Sequence, residues 1–205
     1  MTRFSPVPLA FCEATVRTEM IRWLPRLAAL VDRAAAGLEA EGVARTARVF
    51  MVARSFSRRS TVRAEDFAPV VPLIARAVDG LTRDNLVSRV ETLMRDMGAV
   101  PGLVRLTQDG RPYAVLSAAS KFIWTAAPEV GIIIDQRARL CLSRAYPVGR
   151  SGSYGEFVHA ARTEMLRHAD FIETLVPHAP AELREAPWLR AKIFDFCLYA
   201  HGGPQ

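Results

Sequence analysis

The chain has 205 residues, half of them hydrophobic, enough to bury the core of one domain or of two small lobes. No apolar run reaches the roughly 20 residues that a membrane-spanning helix needs. Three widely spaced cysteines, Cys12, Cys141 and Cys197, exclude a disulfide framework and a zinc cluster, while a net charge of +6 and a pI of about 9.8 direct attention to anionic partners.

The opening segment MTRFSPVPLAFCEATVR is charged too soon to read as a signal peptide, so a soluble cytoplasmic protein is expected, with no metal, no cofactor and no membrane partner. Only two of the 27 basic side chains, Lys121 and Lys192, are lysine. Arginine makes planar, bidentate contacts with phosphate and carboxylate. A coding bias would replace lysine by arginine everywhere, but it leaves the placement of the charges to be explained.

In chain order, PLAFCEATVRTEMIRWL has apolar residues at helical spacing, and Pro25 predicts a kink or break. RLAALVDRAAAGLEA continues as helix, with Gly42 as its stop. A third helix is predicted over residues 44 to 56. The next begins at Ser60 or Thr61 and is shortened or bent by Pro69 and Pro72. Leu86, Val90, Leu93 and Met97 line one face of the clearest helix, which Gly98 is expected to end. A looser stretch follows, with a turn at Asp109-Gly110. Residues 114 to 127 predict a helix ending near Pro128. A short extended GIII leads to Asp135, placed to cap a helix reaching about residue 143. VGRSGSYG reads as a loop, and helices at about 154 to 176 and 181 to 199 complete the chain. No alternating run is long enough for a sheet. The expectation is an all-α, two-lobed helical domain over residues 1–205, its lobes sharing a core and joined near 98–142.

Two residues stand out in the apolar stretch SAASKFIWTAAPEVGIIIDQRARLCL. Lys121 lies on a helix in a polar stripe with Ser117 and Thr125, flanked by Ser120 and Trp124, so its simplest role is a surface lysine reaching water along that lane. Asp135 directly before a helix is the ordinary position of an N-cap carboxylate.

The order of these parts resembles the helix-hairpin-helix DNA glycosylases, in particular the 8-oxoguanine glycosylase-like branch. ASKFIW is similar to the family's lysine-bearing helix, GIIID to its short stub ending in aspartate, and QRARLCL to the helix that follows. Where the family carries a Gly-rich hairpin, this chain reads AVLSAAS, and 14 residues separate Lys121 from Asp135. The resemblance implies that Asp135 stabilises positive charge on a sugar as a base leaves, and that Lys121 is a candidate amine nucleophile.

Two segments are basic without an acid. Residues 42 to 63 carry Arg45, Arg48, Arg54, Arg58, Arg59 and Arg63; residues 136 to 155 carry Arg137, Arg139, Arg144 and Arg150. The second adjoins Asp135 and is the stronger candidate for phosphate contact; the first reads more simply as a solvated face. His159, Glu164 and His168 lack the spacing of a metal-binding pair and predict a hydrated helix face. Trp188, Phe194, Phe196 and Tyr199 are expected in the core, with Asp195 pairing with an arginine. DNA is the expected partner. Two functions fit: a base-excision N-glycosylase or abasic-site lyase, or a non-catalytic helical module that binds nucleic acid or protein.

Overall fold

A computed structural model of the chain describes residues 9–56, 63–149 and 153–203. Among the described residues there are nine α-helices and no strand, as the periodicity predicts. They are α1 (Glu13–Ala36), α2 (Ala40–Val49), α3 (Val71–Val78), α4 (Leu86–Ala99), α5 (Leu116–Ala126), α6 (Gln136–Leu142), α7 (Tyr154–Arg167), α8 (Ala169–Leu175) and α9 (Leu189–His201). The chain divides into two compact units, residues 27–133 and residues 1–26 with 134–205.

In the unit 27–133, α5 is the central element, and every residue from Ala118 to Thr125 is buried. Helices α2, α3 and α4 pack against it. Leu86, Val90, Leu93 and Met97 are all buried along α4, at about 1.5–3 kcal/mol for each such side chain removed from water. Phe56, Phe67 and Phe122 form a ring cluster with centroids 5.1 to 6.1 Å apart. After α5 the chain doubles back so closely that a Cβ on Gly131 would lie 2.6 Å from the Trp124 Cα. Only glycine fits that approach.

In the other unit, α6 packs on α9 and α7, and α8 packs on α7 and α9. The chain after α9 meets α6 so tightly that a Cβ on Gly202 would overlap the Arg137 carbonyl oxygen. Ser153 caps α7 by accepting the Glu156 N–H at 3.1 Å, while Glu156 accepts the Ser153 N–H at 2.8 Å.

Several expected boundaries move. Pro25 does not break α1. Both Ile21 and Pro25 are exposed, so the carbonyl left without a donor lies on the wet side of the helix. Gly42 lies inside α2; the stop is Gly37, whose φ of +152° is closed to other residues. Residues 44 to 56 are not one helix, since α2 ends at Val49 and only a 3-10 turn, Ala53–Ser55, follows. Gly98 is within α4 rather than after it. The stretch from 154 to 176 is broken at His168 into α7 and α8. The start expected at Ser60 or Thr61 lies outside the described residues; the 3-10 turn Ala64–Val70 there leads into α3, with Pro72 in the first turn of α3.

Candidate nucleic-acid interface

Asp135 has extended backbone (φ −136°, ψ 174°), and its Oδ1 accepts the Ala138 N–H at 2.8 Å. It is the N-cap of α6, as its place before QRARLCL predicts. The residue is half-buried.

Helix α6 buries Ala138, Cys141 and Leu142 and turns its basic residues outward. Arg137 is exposed, with its guanidinium 4.7 Å from the ring centre of Tyr199. This contact favours one placement of the side chain by about 0.5–1 kcal/mol and leaves the cation on the surface. Tyr199, expected in the core, is only half-buried and supplies this platform. Arg139 donates from Nη1 to the Gly149 carbonyl at 3.2 Å, and Arg144 is exposed. Arg150 lies outside the described residues. The second basic segment thus places three arginines on and just after one short helix.

The first basic segment differs. Arg48 Nη2 lies 2.6 Å from Glu41 Oε1, an acid just outside the run, so its charge is already matched. Arg45 and Arg54 are exposed. Arg58 and Arg59 lie outside the described residues.

Lys121 belongs to the other unit and is not a surface lysine. It is 6% exposed; its Nζ donates to Ser117 Oγ at 2.8 Å and lies 5.7 Å from the Phe50 ring centre. The polar lane along α5 exists, but it closes on itself. Thr125 Oγ1 donates to the Lys121 carbonyl at 2.9 Å, and Ser120 Oγ to the Ser117 carbonyl at 3.1 Å. Lys192 is 3% exposed and bonds Asp195 at 2.5 Å, so a lysine is a partner of Asp195. Both lysines of the chain are therefore buried, and arginine carries the surface charge.

The expected hydrated face of α7 is also corrected. His159 is exposed, but Glu164 is only 1% exposed. The Tyr146 hydroxyl donates to Glu164 Oε1 at 2.6 Å, Arg167 Nη1 donates to the same oxygen at 2.7 Å, and His168 Nε2 lies 3.3 Å from Oε2. Burial and the neighbouring carboxylate push the Tyr146 phenol up to about 12. No local pattern marks this network, because Tyr146 lies on the far side of the loop before α7.

Burial raises the Cys141 thiol to about 11 and the Cys197 thiol further, so both behave as small apolar side chains. Cys12 is exposed, and hydrogen bonds from the Thr15 side chain and backbone lower its thiol. Among the described residues no group of His, Cys, Asp and Glu is placed to hold a metal ion, and no helix is long and apolar enough to cross a membrane.

No family model, curated protein or solved structure matches the chain. What the site can do is read from its residues. It offers guanidinium groups on and just after α6, with Arg137 and Arg144 exposed and Arg139 half-buried.

Proposed function

We propose that the protein binds nucleic acid through Arg137 and the other arginines on and just after α6, by contact with the phosphate backbone and without strong sequence preference. The observation that carries this reading is the exposed Arg137, its guanidinium over the Tyr199 ring, in a segment that runs from Gln136 to Gly149 without an acid. Each phosphate neutralised by such a cation releases counterions, so affinity falls as salt rises. Replacing Arg137, Arg139 and Arg144 by glutamine is expected to weaken binding to duplex DNA and to lower the slope of log affinity against log salt by about 0.9 for each phosphate no longer neutralised. Replacing Arg45 and Arg48 is expected to matter less, because Arg48 is already paired with Glu41. Fluorescence anisotropy across a salt series measures both sets. Unchanged affinity in the α6 set would end this reading and favour a protein-interaction module.

A second reading extends the resemblance to helix-hairpin-helix DNA glycosylases into chemistry. It is favoured by Asp135, a half-buried residue whose carboxylate caps α6. In this reading it stabilises the positive charge of the sugar as the base departs. Base release from 8-oxoguanine-containing duplex by the wild type, abolished in Asp135→Asn, would support it; no release by the wild type would remove it. Lys121, whose ammonium is held inside α5, enters only if borohydride traps an adduct with abasic-site DNA that Lys121→Ala loses.

A further inference from the structure

We infer that a second surface, the ribbon formed by residues 104–113, is a stacking platform for unpaired bases. This inference rests on the reading that the protein binds nucleic acid, and it deepens that reading by naming a single-stranded substrate.

The ribbon is a tight antiparallel turn fastened to the core of the unit 27–133. Leu106 bridges Pro112, Thr107 N–H donates to the Arg111 carbonyl at 2.7 Å, and Tyr113 N–H donates to the Arg105 carbonyl at 2.7 Å. Gly110, with φ +74°, makes the turn. On its other side the ribbon is tied to the preceding chain by the Val104–Phe56 bridge and by Arg105 N–H donating to the Ser55 carbonyl at 3.2 Å. Pro112 rests over Gly98 of α4, where a Cβ would come 3.5 Å from its ring. The ribbon is thus pinned from two directions.

Its register decides which residues share a face. With Leu106 opposite Pro112, Arg105 is opposite Tyr113 and Thr107 is opposite Arg111. Side chains alternate along extended chain, so Arg105, Thr107, Arg111 and Tyr113 lie on one face, and Val104, Leu106 and Pro112 on the other. Val104 is buried, so the second face meets the core at the ribbon's base, while Leu106, 51% exposed, and Pro112 farther along it are open to solvent. The first face points outward: Arg105 and Arg111 are exposed, and Tyr113 is 55% exposed. This face therefore sets an exposed tyrosine directly opposite one arginine and two residues from another.

The chemistry of that face selects its occupant. Bases stack on an aromatic ring regardless of sequence, and nearby guanidinium groups hold the phosphates that accompany them. A duplex hides the flat faces of its bases inside its own stack, so a ring standing on a narrow ribbon meets them only in unpaired strand. Asp109, the one acid between Leu103 and Val115, sits at the turn, beyond the Arg105–Tyr113 pair.

The test measures anisotropy of a labelled oligothymidine single strand and of a duplex of equal length, with the wild type, Tyr113→Ala, Tyr113→Trp and the combined Arg105→Gln, Arg111→Gln variant. Tyr113→Ala is expected to weaken single-strand binding about tenfold while changing duplex binding by less than about twofold. Tyr113→Trp is expected to retain or strengthen single-strand binding, since indole stacks at least as well. The arginine variant is expected to reduce the salt dependence of single-strand binding. Because these three positions are exposed, each variant should keep the helical circular dichroism of the wild type. Single-strand affinity unchanged in Tyr113→Ala, or an equal loss on both probes, overturns the platform. If duplex binding persists and depends on the α6 arginines while Tyr113→Ala is silent, the platform alone fails. If the wild type binds neither probe, the nucleic-acid reading fails and the platform with it.

Discussion

The Asp135 carboxylate accepts the Ala138 N–H at 2.8 Å, and its residue is only half-buried. One substitution separates capping from chemistry. Asparagine keeps an oxygen that can accept the same N–H, and it ranks with aspartate as an N-cap, so Asp135→Asn is expected to cost about 1 kcal/mol or less in denaturant unfolding. A larger loss would show that the charge itself holds the fold, and any activity that disappeared with it would then say nothing about chemistry. The two lysines make a different point at the same scale. Each long stem is buried and each ammonium is satisfied locally, Lys121 by Ser117 and Lys192 by Asp195. In a chain that otherwise uses arginine, these two positions are where the compact ammonium fits and a planar guanidinium would need more room.

At the scale of elements, the end of α2 stores strain that a substitution can release. Val52 N–H donates to the Ala47 carbonyl at 2.9 Å and Met51 N–H to the Arg48 carbonyl at 3.0 Å. This pair of bonds closes a helix through a left-handed residue, usually glycine. Here the residue is Met51, with φ +55° and its side chain mostly exposed. The left-handed conformation costs a non-glycine residue about 1–2 kcal/mol, and glycine returns part of that gain as unfolded-state entropy. Met51→Gly is therefore expected to stabilise the protein by about 0.5–1 kcal/mol, read as a higher denaturant midpoint at unchanged slope. A lower midpoint would show that the Met51 side chain contributes more than its exposure indicates. The same stop explains what was legible in the sequence. The face of α4 and the cap of α6 could be read because each depends on residues a turn or less apart. The end of α2 could not, since nothing in ARVFMVARS announces a left-handed methionine. Pro25 does not end α1, because the carbonyl it leaves without a donor lies on the wet side of the helix. The surroundings of the site were hidden for another reason. Tyr199 beneath Arg137, and Tyr146 bonded to Glu164, are brought in from distant sequence by the packing of α6, α7 and α9. The ribbon was visible only as a turn at Asp109-Gly110, because its faces follow from a register that two isolated bridges fix.

For the molecule as a whole, charge is the property most directly open to measurement. The formal net charge is +6, and both lysines are buried, so the exposed positive charge belongs to arginine. A lysine surface begins to discharge as the pH nears about 10, whereas guanidinium stays protonated throughout the range in which proteins are handled. The acids that offset it are ionised from neutral pH upward, so the balance that a polyanion meets barely changes with alkalinity. Affinity for duplex DNA at fixed ionic strength is therefore expected to stay within about threefold between about pH 7 and about pH 9.5, with an unchanged salt slope. Anisotropy titrations at three pH values, with salt adjusted to constant ionic strength, measure this. A steep loss of affinity over that interval would mean that a group other than arginine holds the phosphates. The exposed Cys12, whose thiol the Thr15 hydrogen bonds lower and which gains a negative charge on ionising, would then be the first position to replace. A flat profile that collapses in the Arg137, Arg139 and Arg144 variant would assign the field to α6 rather than to the molecule's net charge.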